Sequence, residues 1–317
     1  MDDAATFGFD TTTEEVLDGV DLTGTTALVT GASAGIGVET VRALAAHGAT
    51  VIGTGRDLDK ARRNLADAGV EVGDAVTLEE LDLSSLAAVR DFTDRIYARV
   101  DHLDLLVANA GMMACPEGLT VDGIETQFAT NHLGHFVLVN RLVPLLLAGA
   151  PSRVVVLSSS AHRICDVDLD DVNFERTPYQ PWAAYGRSKT ANAQFAVELD
   201  RRLRDRGVRA VAVHPGAIDT ELHRHLDEDG LAFVAQAGGP PRKTVPQGAA
   251  TTVWAAAVAG AEDVGGRLLE DSTLTAPPVD GVPVPGDFAM PYVYDPAKGA
   301  ALWARSEELV GEAFPLA

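Results

Sequence analysis

The sequence predicts an α/β fold, a doubly wound parallel sheet in a single domain, and three observations support this. Short apolar runs alternate with helical stretches along most of the 317 residues. These runs are continuous, as in Val154–Leu157, which is typical of strands buried on both faces. A glycine-rich turn, Thr30–Gly37, joins the first run to a helix. Repeated strand-helix units of this kind indicate a parallel sheet with helices on both faces, the Rossmann architecture.

The elements follow a polar lead-in, residues 1–24, which contains a short predicted helix at Thr13–Leu17. The apolar runs predict strands at Ala27–Thr30, Thr50–Thr54, Val76–Leu81, Leu103–Ala108, Arg153–Leu157 and Val208–His214. The stretches between them predict helices at Val38–His47, Leu58–Ala68, Ser84–Arg99, Gly123–Ala148 and Ala183–Asp205. This order matches successive strand-helix units.

Residues 25–317 are predicted to form one domain, although two stretches leave the strand-helix rhythm. Residues 163–182 form a polar insertion that we expect on the substrate side. Residues 275–296 are rich in Pro and Gly and are predicted to form a loop that covers the site as a lid. A C-terminal extension ends in an amphipathic helix, predicted at Pro296–Glu312.

Composition and charge exclude several classes of partner. The formal net charge of −21 repels nucleic acid backbones and anionic membrane surfaces, so neither is expected as a partner. Cys115 and Cys165 form no C-x-x-C pair, which argues against a zinc site or a disulfide framework. His223 and His225 are spaced like metal ligands but have no third ligand nearby in the sequence, so no metal site is predicted.

The N-terminus predicts no export signal. Two acidic residues, Asp2 and Asp3, follow Met1, and no apolar segment comes after them. A secretory signal is therefore not expected. The best apolar stretch, Phe136–Ala150, is interrupted by polar residues and a proline and cannot span a bilayer. We therefore expect a cytoplasmic protein.

Tyr185 and Lys189 are the side chains that indicate chemistry most directly. They stand four residues apart on a predicted helix, and positions i and i+4 share one helix face. A free tyrosine phenol has a pKa of about 10, and a neighbouring positive charge lowers it. We therefore predict a lowered pKa for Tyr185 and a role in moving a proton onto or off an oxygen atom.

The glycine-rich turn predicts a site for the pyrophosphate of a dinucleotide. Its glycines open a helix directly after a strand, and they let an anion approach the helix N-terminus, where free N–H groups and the helix dipole favour negative charge. A plain glycine-rich turn is the alternative, because the spacing G-x-x-x-G-x-G differs from the commoner G-x-G-x-x-G. The predicted contacts are Gly31, Ser33, Ala34, Gly35, Ile36 and Gly37.

The end of the second predicted strand indicates which dinucleotide is bound. A carboxylate there binds the 2′-hydroxyl of NAD, whereas an arginine accommodates the 2′-phosphate of NADP. Gly55 stands at the acidic position and Arg56 follows it, which predicts NADP, while Asp57 leaves NAD possible. Asp82 and Leu83 follow the third strand and are predicted to contact the adenine. A helix N-cap is the alternative role for Asp82.

Six motifs stand in the order found in one enzyme family. They are the glycine turn, Ala108–Gly111, Asn131, Ser159, Tyr185-x-x-x-Lys189 and Pro215-Gly216-x-x-x-Thr220. On these motifs the chain resembles the short-chain dehydrogenase/reductase family from about Thr25 to about Leu269. The segments Asn131–Phe136 and Ser158–His162 are most similar to its retinol-dehydrogenase and WW-domain-oxidoreductase-like branch.

The resemblance implies catalytic roles for four residues. Tyr185 would be the general acid in reduction and the general base in oxidation. Lys189 would lower the pKa of the phenol and hold the nicotinamide ribose. Ser159 would hydrogen-bond the substrate carbonyl oxygen, and Asn131 would anchor a water molecule that relays protons to Lys189.

The resemblance also implies further cofactor contacts. Asn109 would support the fourth strand, while Thr220 and the backbone near Ile218 would hold the nicotinamide carboxamide. Ala34 stands where NADP-dependent members of the family often carry a basic residue. The contacts implied in this way are Asn109, Ala110, Gly111, Tyr185, Lys189, Pro215, Gly216, Ile218 and Thr220.

The predicted function is hydride transfer between NADP, or NAD, and a carbonyl or alcohol group of a medium-to-large apolar small molecule, such as a steroid, terpenoid, polyketide-like or aromatic compound. The residues predicted to line the substrate side are Met112, Met113, Ile164, Phe174, Tyr179, Trp182 and the segment Leu222–Val234. The alternative function is a non-catalytic dinucleotide-binding regulator of the same fold. The resemblance implies a homodimer or homotetramer.

Overall fold

A sheet of eight strands runs through the computed structural model, which describes residues 7–222, 226, 242–275 and 289–316. The strands are β1 (Thr26–Thr30), β2 (Thr50–Gly55), β3 (Val76–Glu80), β4 (Leu105–Ala108), β5 (Ser152–Leu157), β6 (Val208–His214), β7 (Leu268–Glu270) and β8 (Thr273–Leu274). Their order is β3-β2-β1-β4-β5-β6-β7-β8. All neighbours pair in parallel except β7 and β8, which are antiparallel.

Helices cover both faces of the sheet. They are α1 (Thr13–Leu17), α2 (Gly35–Ala46), α3 (Leu58–Asp67), α4 (Leu86–Tyr97), α5 (Gly134–Ala148), α6 (Pro181–Leu203), α7 (Val245–Val253), α8 (Ala261–Val264) and α9 (Pro296–Val310). One apolar core lies between the sheet and α4, α5, α6 and α9. A second core lies on the opposite face, against α1, α2 and α7. The doubly wound parallel sheet predicted from the sequence is therefore confirmed.

The six predicted strands correspond to β1–β6, and each end agrees within two residues. The last two strands were not predicted. β7 has three residues and β8 has two, so neither is long enough to show a strand pattern. Asp271 and Ser272 join them with φ values of +51° and +54°, the pattern of a two-residue type I′ turn.

The long helix predicted at Gly123–Ala148 begins later than expected and is not uniform. An α-helical turn at Thr126–Phe128 leads into a π-helical turn at Ala129–Leu133, and α5 follows. Glu125 begins this stretch, because its carboxylate accepts hydrogen bonds from the N–H groups of Gln127 (2.9 Å) and Phe128 (2.6 Å). A buried carboxylate cap is therefore the local reason for the start.

The lead-in is part of the packed structure. Thr12 caps α1 with a capping box, in which it accepts from Glu15 N and Glu15 accepts from Thr12 N. Val16 and Leu17 are buried in the second core. The predicted helix α1 is thus confirmed, and it packs against α2 and α7.

None of the helices in the described ranges combines the length and apolar character that a bilayer span requires.

Gly134 lets α5 approach the loop after β3. A Cβ atom at this position would lie 2.4 Å from the carbonyl oxygen of Leu83, a distance that demands backbone movement. Alanine normally stabilises a helix interior relative to glycine by about 1 kcal/mol. Here the contact reverses that preference.

We therefore expect Gly134→Ala to lower the free energy of unfolding by about 1–3 kcal/mol, the usual cost of overpacking. Urea unfolding followed by circular dichroism measures it. Gly73→Ala is the matched control, because a Cβ at Gly73 would meet nothing within 4 Å. Equal stability of the two variants would contradict the expectation.

Candidate active site

The carboxyl edge of the sheet carries a cleft of about 1170 Å³. Its walls follow the ends of β1, β2, β4, β5 and β6, which is where open α/β sheets bind ligands. All residues predicted to contact the cofactor line this cleft: Gly31, Ser33, Ala34, Gly35, Ile36, Gly37, Arg56, Asp82, Leu83, Asn109, Ala110, Gly111, Tyr185, Lys189, Pro215, Gly216, Ile218 and Thr220. Ser159 also lines it.

The glycine turn has the shape that a pyrophosphate needs. Gly31 has a φ of +74°, and a Cβ there would lie 2.8 Å from Ala110 Cα. A Cβ on Gly37 would lie 2.2 Å from the Gly31 carbonyl oxygen. Ala34, the N-cap of α2, makes no side-chain hydrogen bond to the first turn. The first N–H groups of α2 therefore face the cleft without a side-chain cap, so these residues fit a dinucleotide phosphate.

The end of β4 is fixed to the end of β1. Asn109 Nδ2 donates to the Thr30 carbonyl at 2.7 Å, and the N–H groups of Asn109 and Ala110 both donate to Thr30 Oγ1 at 2.9 Å. Thr30 is fully buried. These bonds hold the two loops that flank the cleft at a set separation.

The adenosine end of the cleft contains Arg56, Asp57, Lys60 and Asp82. Asp57 caps α3, since its carboxylate accepts from Lys60 N at 2.8 Å. Asp82 accepts from Ser84 N (3.0 Å) and from Ser84 Oγ (2.7 Å). The N-cap of α4 is Ser85, so the alternative role proposed for Asp82 as a helix N-cap was wrong.

Tyr185 and Lys189 lie on α6 and are both buried, each 4% exposed. α6 begins with Pro181 in its first turn, a favoured place for proline. Lys189 Nζ lies 5.8 Å from the centroid of the Tyr185 ring and donates to the Leu157 carbonyl at 3.0 Å. The helix therefore presents the phenol and the ammonium to the same wall of the cleft.

Ser159 lines the same cleft as Tyr185. It begins the short 3-10 helix Ser160–Arg163, where Ser159 Oγ accepts from Ala161 N at 3.1 Å, and its side chain acts on the Tyr185 phenol in the direction of a lower pKa. Ser158 Oγ instead donates to the Lys189 carbonyl at 2.7 Å. Ser158 thus supports the backbone of α6.

Burial sets the acidity of both groups. It raises the pKa of Tyr185 to about 12, and the influence of the Ser159 side chain offsets only part of that rise. Burial also lowers the pKa of Lys189 to about 8. The predicted lowering of the Tyr185 pKa was therefore wrong for this arrangement, because removal of the phenolate from water outweighs an ammonium that points at Leu157.

Asn131 lies in the π-helical turn and is fully buried. Its side chain accepts from Met112 N and donates to the Met112 carbonyl and to Ser188 Oγ, all at 2.9 Å. A Cβ on Gly111 would lie 3.2 Å from Asn131 Oδ1 and 3.5 Å from Lys189 Nζ. Asn131 therefore holds the loop after β4 next to the ammonium. π-Helical turns are frequent at functional sites.

One part of the cleft wall, around Tyr185, is apolar. Residues from three predicted segments line the cleft: Met112, Met113, Ile164, Trp182 and Leu222. Phe174 and Tyr179 were also predicted to line it, but they pack on each other outside the cleft, with ring centroids 5.1 Å apart. Of the segment Leu222–Val234, residues 223–225 and 227–234 lie outside the described residues, as do residues 276–288 of the predicted lid.

Phe9 of the lead-in lines the cleft although no motif indicated it. Five charged residues that no motif indicated also line it: Lys60, Arg163, Glu221, Glu270 and Asp271. Arg163 Nη2 meets Glu270 Oε2 at 3.0 Å, and Lys60 forms an ion pair with Glu221 from the loop after β6. Glu270 ends β7. Its position at the carboxyl end of a strand would have been the signal, had β7 been recognised.

Within the described ranges, no group of three His, Cys, Asp or Glu side chains is placed to hold a metal ion. His223 and His225, considered above as a ligand pair, lie outside those ranges.

Comparison with known proteins places the chain among dehydrogenases. A family described as short chain dehydrogenase matches residues 25–230. Human retinol dehydrogenase 13 is 38% identical over 293 residues, which cover 91% of this chain and 85% of that protein. The human WW domain-containing oxidoreductase is 40% identical over 311 residues, which cover 95% of this chain and 72% of that protein.

Solved structures agree with this placement. The crystal structure of an uncharacterised protein from Mycobacterium paratuberculosis is 37% identical with a TM-score of 0.71, covering 93% of this chain and 96% of that one. A short chain dehydrogenase from Burkholderia cenocepacia J2315 in complex with NADP is 26% identical with a TM-score of 0.62, covering 78% of this chain and 96% of that one.

Proposed function

Since the chain belongs to the short-chain dehydrogenase/reductase family, in its retinol-dehydrogenase-like branch, we propose that it is an NADP-preferring alcohol dehydrogenase or carbonyl reductase. The family makes it a dinucleotide-dependent oxidoreductase. The observation that carries the proposal is the convergence of Tyr185, Ser159 and Lys189 on one cleft with the glycine turn.

The chain's own residues would manage the proton and the developing charge. The dinucleotide, when bound by the glycine turn, Asn109 and the loop after β6, supplies or accepts the hydride. In reduction, Tyr185 gives its phenolic proton to the substrate oxygen, which a pKa of about 12 keeps available at neutral pH. Ser159 donates to the same oxygen, where negative charge develops. In oxidation both transfers run in reverse.

Lys189 would act through its charge. Its ammonium stabilises any negative charge that forms on Tyr185 or on the substrate oxygen. The Leu157 carbonyl, which accepts from Lys189 Nζ at 3.0 Å and from Asn192 Nδ2 at 3.0 Å, holds the ammonium in place. Asn131 would keep the adjoining loop open for a water molecule that restores the proton.

Three features support the preference for NADP. Gly55 brings no carboxylate to the end of β2, and Asp57 already uses its carboxylate to cap α3. Among the described residues, Arg56 has no ion-pair partner and lines the cleft. Related solved structures contain NADP. A free guanidinium suits a 2′-phosphate, which it binds through two parallel hydrogen bonds.

The cleft supports a bulky apolar substrate. Its volume of about 1170 Å³ exceeds the range of about 300–1,000 Å³ typical of a single small-molecule site, so a cofactor and a substrate fit together. Methionines in the wall adapt to irregular shapes. We further propose that the protein acts in the cytoplasm as a homodimer or homotetramer on a small molecule.

Tyr185→Phe and Ser159→Ala should each lower kcat by about 10²–10³, the effect of removing one donor from a developing oxyanion. NADPH oxidation over a panel of apolar ketones and aldehydes measures this, and the Kd for NADPH should change little. Tyr97→Phe is the control, because Tyr97 is 42% exposed and its hydroxyl donates to the backbone carbonyl of Arg141. A wild-type protein that binds NADPH but reduces nothing would favour the regulator instead.

Arg56→Ala should raise the KM for NADPH about 10- to 100-fold and leave the KM for NADH unchanged, because one charge-assisted bidentate contact is lost. Steady-state kinetics with both cofactors measure the ratio. Arg62→Ala is the matched control, since Arg62 is exposed on α3 and does not line the cleft. An equal effect on both cofactors would overturn the preference for NADP.

The kcat/KM for reduction should be level below pH 8 and fall about tenfold per pH unit above it. The reason is that burial lowers the pKa of Lys189 from 10.5 to about 8, so the ammonium is lost above that value. Tyr185, with its pKa raised to about 12, stays protonated throughout. Lys189→Arg should remove the fall near pH 8, since guanidinium stays charged. An unchanged profile would show that another group titrates.

A further inference from the structure

Two buried imidazoles contact the backbone carbonyls of two active-site residues. His135 Nδ1 lies 2.9 Å from the Asn131 carbonyl oxygen, and His162 Nδ1 lies 2.7 Å from the Ser159 carbonyl oxygen. Both side chains are fully buried. Resting on the function proposed above, we propose that His135 and His162 are positioning residues that tie Asn131 and Ser159 to distant segments of the chain.

His135 connects Asn131 to the end of β1. A carbonyl oxygen only accepts, so His135 Nδ1 carries the proton and donates to Asn131. Its other nitrogen, Nε2, lies 2.8 Å from Thr30 Oγ1. The distance in sequence between Thr30 and His135 is 105 residues, so the imidazole joins the strand that precedes the glycine turn to the π-helical turn.

The hydrogen bonds around Thr30 fix the direction of this contact. Thr30 Oγ1 already accepts from Asn109 N and Ala110 N, both at 2.9 Å, which uses its two lone pairs. Its own proton is therefore available to His135 Nε2, since the alternative acceptor, the Val107 carbonyl, lies farther away at 3.4 Å. A neutral His135 with its proton on Nδ1 satisfies every partner.

His162 makes the same kind of connection on the other side of the site. Its Nδ1 donates to the Ser159 carbonyl, and its Nε2 accepts from Met290 N at 3.3 Å. A backbone N–H only donates, so Nε2 must be free of a proton. Thr190 Oγ1 and Tyr292 Oη donate to the backbone carbonyl of His162. The imidazole thus joins Ser159 to the segment that begins at residue 289, while the backbone of His162 is held by α6 and by Tyr292.

Burial keeps the imidazoles of His135 and His162 neutral. It lowers the pKa of His135 to about 4 and that of His162 to about 4, while the nearby charges of Lys189 and Arg163 act in the same direction. Each ring therefore remains neutral at physiological pH and keeps one donor and one acceptor. A hydrophobic ring of similar size would fill the same space without either bond.

The two tethers predict different kinetic effects. His135 reaches Thr30, whose hydroxyl also holds the backbone of Asn109 and Ala110 on the cofactor side of the cleft. Loss of the His135 imidazole should therefore disturb both cofactor binding and turnover. His162 reaches Met290, which does not line the cleft. Loss of the His162 imidazole should disturb the position of Ser159, and therefore turnover, but not cofactor binding.

The experiment compares His135→Phe and His162→Phe with His132→Phe. His132 is a third fully buried imidazole, and its Nε2 contacts Ser306 Oγ at 2.9 Å rather than a carbonyl of the active site. Thermal unfolding reports how much each variant is destabilised. Fluorescence titration with NADPH reports Kd, and NADPH oxidation reports kcat, both on the folded full-length protein.

We expect His135→Phe to lower kcat about tenfold and to raise the NADPH Kd about tenfold, the effect of losing one hydrogen bond at each end. His162→Phe should lower kcat by a similar factor and leave Kd unchanged. His132→Phe should lower the Tm but leave kcat and Kd within about twofold of the wild type. His135→Asn should recover kcat in part, because its amide replaces Nδ1, but should not recover Kd.

The inference is overturned if the folded His135 and His162 variants match His132→Phe in both kcat and Kd, or if His135→Asn recovers nothing beyond His135→Phe. Variants too unstable to assay at 25 °C are measured at lower temperature, with His135→Gln and His162→Gln as milder changes. A wild-type protein without reductase activity would instead refute the proposed function, which separates the two failures.

Discussion

The hydroxyl of Thr30 occupies the point on which the geometry of the site depends. β1 is the strand from which the chain order of the sheet reverses, with β2 on one side and β4 on the other, and the crevice of an open α/β sheet forms at such a point. Thr30 Oγ1 accepts from the two residues that follow β4 and contacts His135. One buried hydroxyl therefore joins the cofactor side of the cleft, through His135, to the π-helical turn that contains Asn131.

Burial explains why the acidities of Tyr185 and Lys189 differ from those of free side chains. Tyr185 and Lys189 are both 4% exposed, so each charged form is disfavoured, and the pKa of the phenol rises while that of the ammonium falls. The Leu157 carbonyl compensates the ammonium with one hydrogen bond. The site consequently holds a neutral proton donor next to a cation that is easily lost, which suits transfer to a substrate oxygen rather than storage of a phenolate.

Much of this arrangement follows from local sequence. The roles of Gly31 and Gly37 could be predicted from the sequence, because only glycine permits the close approach of Gly31 to Ala110 and of Gly37 to the Gly31 carbonyl. The proximity of Tyr185 and Lys189 required only that both lie on one helix, four residues apart.

The direction of the Tyr185 pKa shift was not predictable, because it depends on depth of burial and on where Lys189 points. β7 and β8 were missed because strands of three and two residues are too short to show a hydrophobic pattern in the sequence. The late start of the helix depends on the Glu125 cap and on the contact of Gly134 with Leu83, which only the packed structure brings together.

The turn between β7 and β8 shows a conflict between the stability of the hairpin and the charge that it places in the cleft wall. Asp271 and Ser272 are not glycines, yet both adopt left-handed backbone angles, a conformation that costs roughly 1–3 kcal/mol for such residues. Asn-Gly is the pair that this turn geometry favours. Asp271, however, lines the cleft and forms an ion pair with the buried Lys243. Laboratory evolution that selected for heat resistance alone would thus favour Asn-Gly here and remove a carboxylate from the wall of the cleft.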